Sequence, residues 1–208
     1  MFLDVFRGPS GLVASMLATI LAATLPASTA VPQQRASLVG QLLIASPAMR
    51  DPRFYQTVIV LVRHDRTGAM GIVVNRPWPE RPFATLLEAL GEKSAGAAGT
   101  VRVFAGGPVQ PELGFVVHSG EYQRAGTMVI DDHLAVTSSR EILRDLARHQ
   151  GPRQSLVAFG YAGWGPGQLD SELGQGSWFT APADAKLVFE EDRDRVWEDA
   201  MARRTQDL

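Results

Sequence analysis

The chain has 208 residues, 45% of them hydrophobic and 20% charged, a composition that excludes disorder and supplies material for one sizeable core. Its formal charge of −2 offers no basic face to neutralise phosphates, so direct nucleic-acid contact is not expected. There is no cysteine, which removes disulfides, thiol nucleophiles and thiolate metal sites together.

Residues 1–34 read as a leader outside the fold. Arg7 precedes an apolar run from Leu12 to Leu25, then comes Pro26, and Ser28-Thr29-Ala30 carries the small side chains of a signal-peptidase site. The run is short for a membrane span and suits a signal h-region. Two outcomes stay open: export to the periplasm or beyond if the segment is a genuine signal, or a cytoplasmic protein with a mis-assigned start. In either case no stable membrane span is expected without it.

Residues 35–208 read as a single domain. Leu38–Ser46 is a strand candidate, and Thr57–His64 and Gly71–Asn75 form a hairpin around Asp65-Arg66-Thr67-Gly68. Pro77 and Pro79 end that ladder, since proline has no N–H to donate. Phe83–Gly91 has helical periodicity. The stretches VRVFAGGP and GFVVHS suggest two strands joined around Gly106-Gly107-Pro108, and TMVI and LAVT flank the turn Asp131-Asp132-His133. Ser138–Pro152 is predicted as a helix, with Ser138 and Glu141 at capping-box spacing and Gly151-Pro152 as its stop. SLVAF is a buried strand, Leu169–Leu173 a short helix and Lys186–Phe189 a final strand. The last helix turns Val196, Trp197 and Met201 inward. Strands and helices mix without strict alternation, which favours α+β over a doubly wound sheet.

Four blocks stand in order: SPAMRDPRFYQTVIVLVRHDRTGAMGIVVNRP, GGPVQPELGFVVHS, TSSREILRDLARHQGP, and GYAGWGPGQLDSEL followed by Trp178. Together they resemble the YqgE/AlgH family of bacterial proteins, from about Gly40 to Ala202. The resemblance implies a bent antiparallel or mixed sheet forming a barrel-like core with helices packed around it. It implies a regulatory role, because one branch is labelled for an effect on alginate gene expression, and it brings no catalytic residue with it. Ser46, Asp170 and Gly176 depart from the family's usual methionine, glutamate and asparagine. The change at Asp170 argues against a strict catalytic role there.

The candidate site is a ligand-binding hollow made by three bends. In GYAGWGPGQL, glycines permit positive φ or close backbone approach. Tyr161 and Trp164 are candidate walls, and Gly163, Gln168 and Glu172 candidate contacts, with amides at a helix start available to an anion. The bland alternative is a tight corner with Trp164 and Trp178 packed into the core. In the second bend, Arg76 is a candidate carboxylate clamp beside Asn75; alternatively Asn75 closes a turn through its own side chain and Arg76 pairs with Glu80. In the third, Gly107 belongs to a candidate anion nest or to a plain turn.

The four histidines, His64, His118, His133 and His149, show no metal-ligand spacing. Asp131-Asp132-His133 reads as a polar turn, and no metal or cofactor is expected. The function expected is a non-enzymatic binding or regulatory module that takes a protein or a small anionic ligand. The alternative is a hydrolase-like enzyme using His118 with Asp170 or Glu172, which requires His118 within hydrogen-bond reach of a carboxylate.

Overall fold

A computed structural model describes residues 37–190 and 192–205; the expected leader lies outside them. Strands β1 (Gln41–Ala45), β2 (Val58–Asp65) and β3 (Gly68–Val73) form an antiparallel meander. The β2–β3 hairpin falls where the sequence predicts it, and its turn is fixed by Asp65, whose Oδ1 accepts from the Thr67 N–H at 2.7 Å. Between β1 and β2 the chain makes one 3-10 turn, Pro52–Phe54, capped by the Asp51 carboxylate.

A short ladder of β4 (Arg81–Pro82) and β5 (Thr100–Val101) brackets helix α1 (Phe83–Ala89). Strands β6 (Val103–Ala105), β7 (Val109–Ser119), β8 (Thr127–Val129) and β9 (Leu134–Thr137) follow, then helix α2 (Glu141–Ala147) and strand β10 (Ser155–Trp164). Helix α3 (Gln168–Gly174), strand β11 (Trp178–Pro182) and helices α4 (Ala185–Val188) and α5 (Val196–Ala202) complete the described chain. The α+β expectation holds.

Nine strands form one sheet in the order β11-β1-β2-β3-β10-β7-β9-β8, with β6 lying parallel to β10. β10 is the spine. Its first half lies between β6 and β7, and its second half pairs with β3 through Ala162 and Gly71. The sheet is strongly curled. Gly40, just before β1, lies against Ile130 at the end of β8, so close that a Cβ at Gly40 would sit 3.3 Å from Ile130 Cγ2. Both faces are buried. On β1, Leu42 and Ile44 enter the core inside the curl, under α4 and α5, while Leu43 and Ala45 point to a second cluster containing Trp164, Leu169 and Trp178. Alternation along a strand divides its side chains between two faces in this way. A third cluster packs α1 and α2 against Val116 and Val157.

Two local expectations are corrected. Lys186–Phe189 is not a strand: residues 185–188 are a helical turn capped by Asp184, whose Oδ1 accepts from the Lys186 N–H at 2.8 Å. The last strand is instead β11, which holds the sheet edge beside β1. The Ser138–Glu141 capping box does not form, because Arg140 occupies the cap position and Ser139 Oγ accepts from the Glu141 N–H at 3.2 Å. The final helix does bury Val196, with Trp197 and Met201 packed on the core. Trp197 also donates its indole N–H to Ala45 O at 2.8 Å.

Candidate functional site

The strand β10 ends in Trp164, and α3 begins four residues later, so the chain turns back within Gly165-Pro166-Gly167. That corner is tied by Gln168, whose Oε1 accepts from the Gly165 N–H at 3.0 Å while its Nε2 donates to Glu172 Oε1 at 2.8 Å. Glu172, one helical turn on, accepts two indole N–H groups on its other oxygen, from Trp164 at 2.9 Å and Trp178 at 2.8 Å. The two indoles meet edge to face, with centroids 5.9 Å apart, and Phe54 stands edge-on to Trp178 at 5.5 Å. One carboxylate therefore joins the end of β10, helix α3 and the start of β11.

Above this knot lies an open cleft of about 590 Å³. One wall is α3 with Gln175 to Trp178; the other is the segment Ser46–Phe54 between β1 and β2; Pro108 and Val109 close one end. The charged groups in its lining are Arg50, Asp51, Arg53 and Glu172. Asp51 and Arg53 neutralise each other in a two-pronged pair, at 3.0 and 2.6 Å. Their hydrogen bonds draw the Asp51 carboxyl below its ordinary range and raise the Arg53 guanidinium. Arg50 is exposed and has no hydrogen-bond or ion-pair partner among the described residues. Ser46 is 4% exposed, and its Oγ is buried without a hydrogen-bond partner among the described residues.

Of the predicted site residues, Gly163, Trp164, Gln168 and Glu172 line this cleft together. Trp164 and Trp178 are nonetheless 7% and 3% exposed, so the indoles are packed in the second core cluster and present little face to a ligand. Tyr161 is not a wall at all. It packs on the main core, edge to face with Phe115. Positive φ falls at Gly160 (+75°), in the bulge between Phe159 and Tyr161, and not at Gly163. Gly107 (φ +152°) is not in the cleft lining: its backbone runs against that of Tyr161 with no room for a Cβ. At the helix start, the Gln168 N–H donates to Gly165 O and the Ser171 N–H to Gly167 O.

The Asn75-Arg76 bend is not in the cleft lining. Asn75 is buried and ties two distant segments, accepting from the Val58 N–H and donating to Gln56 O, both at 2.9 Å. Arg76 donates to Tyr55 O and to Thr57 Oγ1, whereas Glu80 pairs with Arg102 at 3.0 Å. Both side chains brace the approach to β2. In place of this bend the structure supplies Ser46–Phe54 as the second wall. Its sequence signal was two prolines and three charges between two apolar strands, with Phe54 beside them.

His118 is fully buried, with Nδ1 2.9 Å from Ser119 O and Nε2 2.9 Å from Thr137 Oγ1. Burial holds its pKa below the ordinary value. The carboxylates considered for it are engaged elsewhere: Asp170 lies 3.6 Å from His64 Nε2, and Glu172 holds the indoles. Asp131 accepts from the N–H groups of His133 and Leu134, as a turn residue does.

A family model described as AlgH-like matches residues 42–208. The chain belongs to the AlgH-like family. A UPF0301 protein of Methylococcus capsulatus is 43% identical over 171 residues, 82% of this chain and 93% of that protein. Another, from Rhodospirillum rubrum, is 48% identical over 153 residues, 74% and 80% of the two chains. The solution structure of the AlgH protein from Pseudomonas aeruginosa matches with a TM-score of 0.69 at 36% identity, covering 82% of this chain and 90% of that one. A crystal structure of a Corynebacterium diphtheriae protein shares the fold, with a TM-score of 0.61 at 22% identity over 81% and 87% of the two chains. Among the described residues of this AlgH-like protein, no helix is long and apolar enough to cross a membrane.

Proposed function

We propose that this AlgH-like protein is a non-enzymatic binding module that takes a small ligand or a partner's peptide segment into the cleft between Ser46–Phe54 and α3, and that any regulatory effect is exerted through that binding. The observation that carries this reading is the knot beneath the cleft. Glu172 fixes Trp164, Trp178 and Gln168 at once, so the floor is preorganised and loses little freedom on binding. A concave site of several hundred Å³ with a few polar groups is the usual form of a ligand site. The engagement of His118 with Ser119 O and Thr137 supports binding over hydrolysis. Binding through direct DNA contact is disfavoured by the charge of −2 and by the acids Glu190, Asp192, Asp194, Glu198 and Asp199 around α5.

The test is a titration of the ¹⁵N-labelled protein with a mixed library of small acids, amides and short peptides. The Nε1–H signals of Trp164 and Trp178, assigned by Trp164→Phe and Trp178→Phe, report on the cleft floor. Saturable shifts of both are expected. Shifts of surface amides alone, with both indole signals unmoved by every member, would remove the cleft as the binding site.

A further inference from the structure

Which chemistry the cleft selects follows from what its lining leaves unsatisfied, and this inference rests on the cleft being the binding site. We infer that it recognises a carboxylate with a neighbouring amide, as found at a peptide C terminus or on a free N-acyl amino acid.

Two observations set this. First, the lining has one guanidinium without a partner among the described residues, Arg50, because Arg53 is consumed by Asp51. A guanidinium presents a planar fork that matches a carboxylate. Second, Glu172 carries its charge below the cleft with only neutral donors on it, two on Oε2 and one on Oε1. That fixed anion repels a multiply charged phosphate, while one open cation balances a monocarboxylate. A carboxylate oxygen accepts two hydrogen bonds, so Oε1 retains capacity for an amide N–H from the ligand. The ligand thus lies with its carboxylate on Arg50 and its amide N–H on Glu172.

The experiment uses the full chain and four probes: acetyl-Gly-Ala-Leu with a free carboxylate, the same peptide as its C-terminal amide, N-acetyl-leucine, and inorganic phosphate. Indole shifts and calorimetry are read together. The free-acid peptide is expected to bind about tenfold or more tightly than its amide, the size of one charge-assisted hydrogen bond. Arg50→Gln should erase that difference while leaving the melting temperature unchanged. Equal binding by N-acetyl-leucine identifies a free acylated amino acid as the source; binding by the peptide alone identifies a C-terminal segment. Equal binding of acid and amide, or phosphate binding that matches the acid, overturns the carboxylate inference and leaves the cleft standing as a binding site. Silence of both indoles with all four probes, combined with indole shifts from other library members, overturns it in the same way; silence with every compound removes the cleft as well.

Discussion

Trp164 and Trp178 donate their indole N–H groups to the same oxygen, Glu172 Oε2, at 2.9 and 2.8 Å. Fourteen residues of chain separate the two rings, and the shared acceptor is what closes that excursion around α3. The aromatic pair is therefore a structural lock whose outer surface happens to be the floor of a cleft.

Removing the lock has a calculable direction. Glu172→Ala leaves two largely buried indole donors unpaired, each costing roughly 1–3 kcal/mol. A loss of about 2–4 kcal/mol is expected, read as a lower urea midpoint. Glu172→Gln keeps an acceptor oxygen and should lose about half as much. A Glu172→Ala variant as stable as the parent would mean that the indoles find other acceptors.

Gly160 and Gly163 separate two kinds of glycine. Gly160 sits at φ +75° with its Cα side pressed on the Gly107 carbonyl, so Gly160→Val combines a disfavoured backbone with a collision and should cost more than about 3 kcal/mol. Gly163 has ordinary φ, and a Cβ there would meet Tyr161 Cε2 at 3.2 Å, the edge of a ring that can shift by tenths of an ångström. Gly163→Ala should cost about 1 kcal/mol or less. Reversal of that order in urea melts would contradict the bulge geometry.

These two glycines also show where sequence reading stops. Both lie in β10, and the position of the bulge depends on pairing with β7, where Tyr161 meets Val109. No local pattern announces that register. The β2–β3 hairpin was legible because alternation, β-branched residues and a turn tripeptide coincide there, and the α+β class followed from the mixture of periods. Residues 185–188 misled because four residues fit either a strand or a helical turn; only Asp184 as a cap distinguishes them. In the candidate site, Gly163, Trp164, Gln168 and Glu172 were visible because they crowd into one short stretch. The Ser46–Phe54 wall was not, since it reaches the cleft through tertiary packing, above all Phe54 on Trp178.

His118 sets the stability near neutrality. Its ordinary pKa is 6.5, and burial lowers it in the folded state, with the Ser119 carbonyl and Glu121 opposing only in part. The unfolded chain then binds a proton that the folded one refuses, so this contribution is complete above about pH 6.5 and is lost as pH falls below it. Urea midpoints should drop between pH 7 and 5, and His118→Gln should flatten that drop. An unchanged slope in the variant would show that His118 is not the group responsible.

Glu121 governs a second, more acidic window. Desolvation raises its pKa, but donors from the Arg153 backbone, from its own backbone and from the Ser119 hydroxyl outweigh it and bring the value down to about 2, from an ordinary 4.5. Ser119 Oγ donates to Glu121 Oε1 at 2.9 Å and Arg153 N at 2.7 Å, so this carboxylate clips the end of β7 to the approach to β10. A depressed carboxylate stabilises the fold above its unfolded pKa and ceases to do so as pH falls through the folded one. Stability should therefore decline again between about pH 4.5 and 2. Glu121→Gln removes the charge and should shallow the decline in this lower window while leaving the His118 step in place. The carboxyl resonance of Glu121, followed by NMR across the same range, must titrate near 2; a midpoint near 4.5 would show that the clip is not formed in solution.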